Sequence, residues 1–137
     1  MKWLLDTDVL SQPAKAAGDK SVIAWIEKEQ SNCYTSTIVI AQLAYWVRTK
    51  NGRSRQLLEQ WLSQLVDALE GKIYSFNVSI AHAWADQKWL LEQAGKPMPL
   101  EDSLIAATAR KHNLIIVTGN EKDFCRPGLK VFNPFKN

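Results

Sequence analysis

Short, wholly apolar runs alternate along this chain with longer stretches in which apolar residues recur every three or four positions. Trp3-Leu4-Leu5 and Leu114-Ile115-Ile116-Val117 are unbroken apolar runs of strand length, the pattern of strands covered on both faces. Cys33-Tyr34-Thr35-Ser36, the alternating Lys72-Ile73-Tyr74-Ser75-Phe76, and Leu129-Lys130-Val131-Phe132 predict three further strands, the last at an edge. Between them the period changes to that of a helix. Asp19 is a plausible N-cap for a helix over 19–30, with Val22, Ile23 and Ile26 on one face. A second, apolar helix runs from Ile38 to Val47 and is expected to end at Asn51-Gly52. The clearest stripe is Leu57, Leu58, Trp61, Leu62, Leu65, Val66 and Leu69, stopped by Gly71. Asn77 should cap a long helix through Ala94, with Gly95 and Pro97 beyond it. Asp102 is expected to open the helix that leads into 114–117, packed through Leu104, Ile105, Thr108 and the alanines at 106, 107 and 109, and closed by His112-Asn113. Asp8 or Ser11 could cap a short turn before Pro13.

Strands alternating with helices predict an α/β protein: a three-layer α/β/α sandwich around a short, mostly parallel sheet of four to five strands. A length of 137 residues suits a single domain, 1–137, able to bury a core without disulfides or structural metal. The apolar share of 46% and charged share of 23% set the chain apart from disordered sequences. Cys33 and Cys125 stand far apart with no CxxC or Cys/His cluster, so neither a zinc site nor a disulfide framework is expected. No apolar segment approaches membrane-spanning length and the N-terminal apolar run is too short for a signal peptide, so the cytoplasm is the expected location and no membrane partner is expected. The helices over 38–49 and 54–69 carry more apolar surface than one side of a small sheet absorbs. Most of it should be core, and any exposed remainder would serve a second subunit or an inhibitor.

The chemistry gathers at strand ends. Asp6 follows the first strand, and Thr118-Gly119-Asn120-Glu121-Lys122-Asp123 follows the 114–117 run. In an open parallel sheet, ligands bind just beyond the carboxyl ends of the strands. The first turn of the Asp102 helix can reach the same edge, so Asp6, Asp102 and Asp123 could converge with the Thr118 hydroxyl and the Asn120 amide. Each has a plainer use: Asp102 complements a helix dipole, Asp123 caps a turn, and Asn120 is ordinary turn chemistry. Together they form a constellation of like charges whose pKa values would climb unless a cation neutralised them. Oxygen ligands alone select a hard ion, Mg²⁺ or Mn²⁺, and the chemistry implied is phosphodiester hydrolysis.

A net charge of +3 permits a polyanionic partner. Arg48, Lys50, Arg53 and Arg55 cluster at the turn joining two helices, with Arg110, Lys111, Arg126 and Lys130 beyond the last two strands. The first four are candidate RNA contacts, although for any one of them a solvated surface is the commoner role.

Four segments, Leu4-Leu5-Asp6-Thr7-Asp8-Val9-Leu10, Thr35 to Leu43, Glu101-Asp102-Ser103-Leu104-Ile105-Ala106-Ala107-Thr108-Ala109, and Val117 to Phe124, resemble in order the motifs of PIN domains. Among these the chain is most similar to the ribonuclease toxins of VapBC-type toxin–antitoxin pairs. The resemblance implies a Mg²⁺- or Mn²⁺-dependent endoribonuclease acting on tRNA or another structured RNA, usually a homodimer, and held inactive by a cognate antitoxin. By motif, Asp6, Asp102 and Asp123 become metal-binding carboxylates, with Thr118 and Asn120 as polar support. One position departs: Gln42 stands where the family carries glutamate. Its amide can coordinate but brings no charge and takes no proton, so metal affinity and rate should fall. Either the glutamine is an introduced substitution, or it is native with Glu101 or Asp8 supplying the charge, or the chain is a catalytically disabled PIN scaffold that only binds. From another class, Asp6-Thr7-Asp8-Val9 fits the D-x-D opening of haloacid-dehalogenase-type phosphatases, with Asp6 as nucleophile and Asp8 as acid/base, but the Asp102 helix is then unexplained.

Overall fold

The computed structural model describes residues 1–136. Five strands form one sheet in the order β3-β2-β1-β4-β5: β1 (Trp3–Leu5), β2 (Cys33–Ser36), β3 (Ile73–Tyr74), β4 (Ile115–Val117) and β5 (Val131–Phe132). Every pairing is parallel. From the central β1 the chain builds outward first to β2 and β3, then on the other side to β4 and β5. The crevice between the carboxyl ends of β1 and β4 is therefore the topological switch point of the sheet. Leu5 pairs with Val117 there, so Asp6 and Thr118 emerge side by side.

Seven helices cover the sheet: α1 (Thr7–Leu10), α2 (Lys20–Glu29), α3 (Thr37–Arg48), α4 (Gly52–Ala68), α5 (Val78–Gln93), α6 (Leu100–His112) and α7 (Glu121–Phe124). The central strands are apolar on both faces because helices cover both: Leu4, Leu5, Ile116 and Val117 are all fully buried, beside Val9, Val39, Leu43, Ile105, Ala106 and Phe124. Each such side chain contributes about 1.5–3 kcal/mol by leaving water. The alanine face of α6 lets α5 and the sheet approach it, and the α5–α6 contact is fixed by polar groups. Trp84 Nε1 donates to Ser103 Oγ at 2.9 Å and Gln87 Nε2 to the Ser103 carbonyl at 3.0 Å. Asn113, in the left-handed region at φ 54°, closes α6 and turns the chain straight into β4.

Two boundaries differ from those the sequence suggests, each for a backbone reason. Asn51-Gly52 does not end α3. The Thr49 amide satisfies the last carbonyls of that helix, and Gly52, at φ 59°, is already the first residue of α4. Asp102 does not open α6 either. Pro99, with an extended ψ of 147°, precedes the helix, which begins at Leu100. Asp102 thus sits in the first turn, its side chain free of any capping bond to its own helix. Near Pro13, neither Asp8 nor Ser11 caps through its side chain; Asp6 caps α1 instead.

The caps that do form give a direct test. Asn77 Oδ1 accepts from the Ile80 amide at 2.9 Å, whereas Asn51 makes no side-chain cap bond. Asn77→Ala should cost about 1 kcal/mol in urea unfolding and Asn51→Ala far less, because only the first removes a partner from a helix amide.

Candidate active site

Asp6 is fixed from both sides. Its amide donates to the Val117 carbonyl at 3.0 Å, continuing the β1–β4 ladder for one residue past the strand. Its Oδ1 accepts from the Thr7 amide at 2.8 Å, and its Oδ2 accepts from the Thr118 hydroxyl at 2.8 Å. The side chain is 6% exposed. Burial, and then the charge of Asp8, pushes its pKa up to about 6, against the pull of the Thr7 N–H and Thr118 O–H. Asp8, one residue into α1, accepts from the Gly119 amide at 2.9 Å. Its pKa is raised by burial and held back chiefly by that N–H. Gly119 is required by this approach, since a Cβ there would stand 2.9 Å from Asp8 Oδ2 and 3.0 Å from the Phe135 ring.

Asp102 faces the same edge from α6. Burial comes first, then the charge of Asp123 and a hydrogen bond with it, and together they push Asp102 up to about 6. Asn120 Nδ2 donates to Asp123 Oδ2 at 3.1 Å and lies 3.5 Å from Asp102 Oδ2, at the limit of a hydrogen bond. Gln42, on α3, ties the two halves together. Its Oε1 accepts from the Thr7 hydroxyl, and its Nε2 donates to Glu101 Oε1 at 2.8 Å. Asp6, Asp8, Gln42, Asp102 and Asn120, with Thr7, Ser11, Lys15 and Trp46, line one open cavity of about 420 Å³.

The expected convergence of Asp6, Asp102 and Asp123 around one ion is only partly met. Asp6 and Asp102 share the cavity, but Asp123 lies outside its lining, behind Asn120. Among the described residues no three acidic, histidine or cysteine side chains are grouped to hold a metal ion. The cause is local: Thr118 ties Asp6 to the Asp8 side of the site, and Asn120 ties Asp123 to the Asp102 side. The carboxylates stand as two pairs.

The basic residues also sort differently. Arg55 pairs with Glu59 at 3.0 Å, Arg48 donates to the Ala44 carbonyl at 3.0 Å, and Arg53 is exposed on α4. Arg126 is a strap, donating to the carbonyls of Lys96 and Pro97 at 3.1 and 2.9 Å. From the first cluster, Lys50 stands over Trp46, a residue of the cavity lining, its Nζ 5.6 Å from the ring centre. Lys15 and Trp46 were not among the residues the sequence singled out. Trp46 hides in the apolar stripe of α3, and the usable signal was its spacing of one helical turn from Gln42.

Residues 3–129 match the family model of the PIN domain. The chain belongs to the PIN domain family. This PIN domain is 31% identical over 96% of its length to the toxin FitB of Neisseria gonorrhoeae, of which 97% is covered. It is 30% identical to the VapC ribonuclease Y4jK of Sinorhizobium fredii, with 97% of each chain covered. Its backbone follows the crystal structure of FitAcB from Neisseria gonorrhoeae with a TM-score of 0.91 and 31% identity, covering 98% of this chain and 99% of that one. The phosphatase alternative falls with this result. In a PIN domain the Asp102 helix belongs to the motif set, whereas the phosphatase reading left it unused.

The donor set of the cavity suits a divalent cation. Asp6 and Asp102 face it with raised pKa values, and none of the salt bridges among the described residues neutralises either of them. Mg²⁺ keeps several waters and needs only one or two carboxylates. Asp6 and Asp102, with Asp8 beside them in the same lining, meet that need.

Proposed function

We propose that this PIN domain is a metal-dependent endoribonuclease toxin that hydrolyses RNA phosphodiesters and is neutralised by a cognate antitoxin. The observation that carries the reading is the pair Asp6 and Asp102, buried or half-buried, lacking a cationic partner and facing one open cavity at the switch point of the sheet. Family membership and the toxin and ribonuclease relatives support it.

Mg²⁺ or Mn²⁺, held by Asp6 and Asp102, would supply Lewis acidity and a bound water of lowered pKa. The chain's own residues do the rest. Thr118 and the Thr7 amide hold Asp6 ionised and fixed, and the Gly119 amide does the same for Asp8. Asn120 bridges Asp102 and Asp123, its Nδ2 donating to Asp123 Oδ2 and reaching Asp102 Oδ2, and so holds the pair in place at the site. Raised carboxylates near the cavity can accept a proton from an attacking water close to neutral pH. Asp8, which lines the cavity and is raised by burial, is the carboxylate we assign to that role.

Gln42 belongs to this arrangement rather than disabling it. Both ends of its amide are used, and the nitrogen end meets a carboxylate. A glutamate in its place would set two carboxylates against each other across 2.8 Å. Glutamine at 42 thus meets the Glu101 carboxylate with a donor and holds it beside the site.

An antitoxin would silence the site by placing an arginine among these carboxylates, a bidentate partner in place of the cation. The second-copy surface is carried by α3 to α5, where Tyr45, Leu57, Trp89 and Leu90 are all exposed. The direct test is incubation of the purified chain with total tRNA and Mn²⁺. Cleavage that stops in EDTA is expected. Cleavage indifferent to EDTA would contradict the metal-dependent mechanism, and no cleavage of any RNA would contradict the function.

A further inference from the structure

Trp46 lines the acidic cavity on the same face of α3 as Gln42, four residues and about 6 Å further along the axis. It is half-buried, held edge-on by Trp61 with the two rings at 89° and their centres 6.2 Å apart. Two ammonium groups stand over it, Lys50 Nζ at 5.6 Å and Lys15 Nζ at 6.0 Å from the ring centre. They come from elements far apart in the sequence, the turn after Pro13 and the α3–α4 connection, and meet only here. Lys15 also lines the cavity itself.

We propose that Trp46, Lys15 and Lys50 form a nucleotide subsite that positions an unpaired base of the RNA next to the cleaved phosphate. The inference rests on the nuclease reading above. An aromatic face beside flexible cations is the elementary unit of single-strand recognition: the base stacks on the ring, and the lysines leave the ring for the flanking phosphates. Perpendicular packing against Trp61 fixes the plane of the ring, so stacking sacrifices little side-chain freedom. The two cations also answer an electrostatic need. The cavity floor carries several carboxylates, and a phosphate approaching it is repelled until positive charge is placed at the mouth. Lys15 already lines that floor beside Asp8. A peptide partner would use the ring as well, but its backbone carries no phosphates to occupy both lysines. Trp46 is a positioning residue for the base, and the lysines are positioning residues for the strand.

The test measures binding in an Asp102→Asn background, where cleavage is expected to be slowed at least about a hundredfold. Fluorescence anisotropy reads the affinity for a labelled single-stranded RNA of mixed sequence and for a strand of the same length made of abasic ribose phosphate. Trp46→Leu, which keeps apolar bulk against Trp61 without a π face, should weaken the RNA by about tenfold or more and leave the abasic strand unchanged, and Trp46→Phe should restore most of the loss. Lys15→Gln with Lys50→Gln should reduce the slope of log affinity against log salt by about 1.4, the value for two lost contacts to a single strand. Equal RNA binding by Trp46→Leu and its parent overturns the subsite. So does loss of antitoxin binding in Trp46→Leu with RNA binding intact, which makes the ring a protein contact. The two readings fail separately: Trp46-dependent binding without cleavage by the unaltered chain overturns only the nuclease, and cleavage with Trp46-independent binding overturns only the subsite.

Discussion

Asp102→Asn is expected to slow RNA cleavage by at least about a hundredfold to a thousandfold, the scale on which a preorganised electrostatic group acts in a transition state, while leaving the protein as stable or more stable at pH 7.5. The two outcomes belong together. Asp102 is raised to about 6 by burial, by the charge of Asp123 and by the bond they share, so at pH 7.5 its charge is a burden on the metal-free fold. Asparagine keeps the shape and still accepts from Asn120, but removes the charge. A residue kept for structure would lose stability when replaced, and a residue kept for chemistry loses rate and gains stability. Paired measurements of cleavage and thermal midpoint separate them. A variant that is destabilised yet cleaves normally would place Asp102 outside the mechanism.

Gln42→Glu is the second large effect. The new carboxylate faces Glu101 where the amide donated at 2.8 Å. Without a divalent ion, the thermal midpoint at pH 7.5 should fall. With Mg²⁺ or Mn²⁺ present the added negative charge strengthens metal binding, so the variant should gain more from the ion than the parent does. Cleavage should rise at least about tenfold, roughly 1.4 kcal/mol of barrier. Melting curves with and without the ion, beside cleavage rates, decide it. Equal metal response in the two proteins would remove position 42 from the site, and the Glu101→Gln variant should show the opposite sign, a smaller metal response than the parent.

The same carboxylates set the pH dependence. Asp6 and Asp102 have folded-state values near 6, above the usual 3.8. The folded state therefore binds more protons than the unfolded one between about pH 4 and 6. Their contribution is fully present below pH 4 and is lost as pH rises through 6. Metal-free protein should thus melt at a lower temperature at pH 7.5 than at pH 5.5 as far as these groups decide it. The divalent ion needs the carboxylates ionised, so its stabilising effect should be larger at pH 7.5 than at pH 5.5. A metal-induced shift that is equal at both pH values would contradict the assignment of these aspartates.

The fold was legible because its strands are apolar on both faces and its helices on one. Trp3-Leu4-Leu5 and Ile115-Ile116-Val117 could be placed in a covered parallel sheet from their composition alone, and that placement put Asp6 and Thr118 at one edge. The helix starts at Asp19 and Asn77 were legible for the same kind of reason, a side-chain acceptor aimed at a free amide. Asp102 looked like such a start and was not. Pro99 had already fixed the chain direction, and a proline three residues upstream outranks an acidic residue as a boundary signal. The site was legible in its members but not in its grouping. Sequence spacing brings Asp6, Asp102 and Asp123 to one end of the sheet, but the hydrogen bonds of Thr118 and Asn120 decide which stand together. Lys15 and Trp46 were hidden because each has a plainer use, a surface cation and a packing residue. Only the close approach of the Pro13 turn to α3 gives them a shared one.

The most direct test of the central claim is the anomalous scattering of Mn²⁺ in crystals of the unaltered chain grown at pH 7.5. A peak within coordination distance of both Asp6 and Asp102, absent from Asp102→Asn crystals treated alike, is the predicted result. A peak elsewhere, or none beside these two carboxylates in a preparation that cleaves RNA, would contradict it.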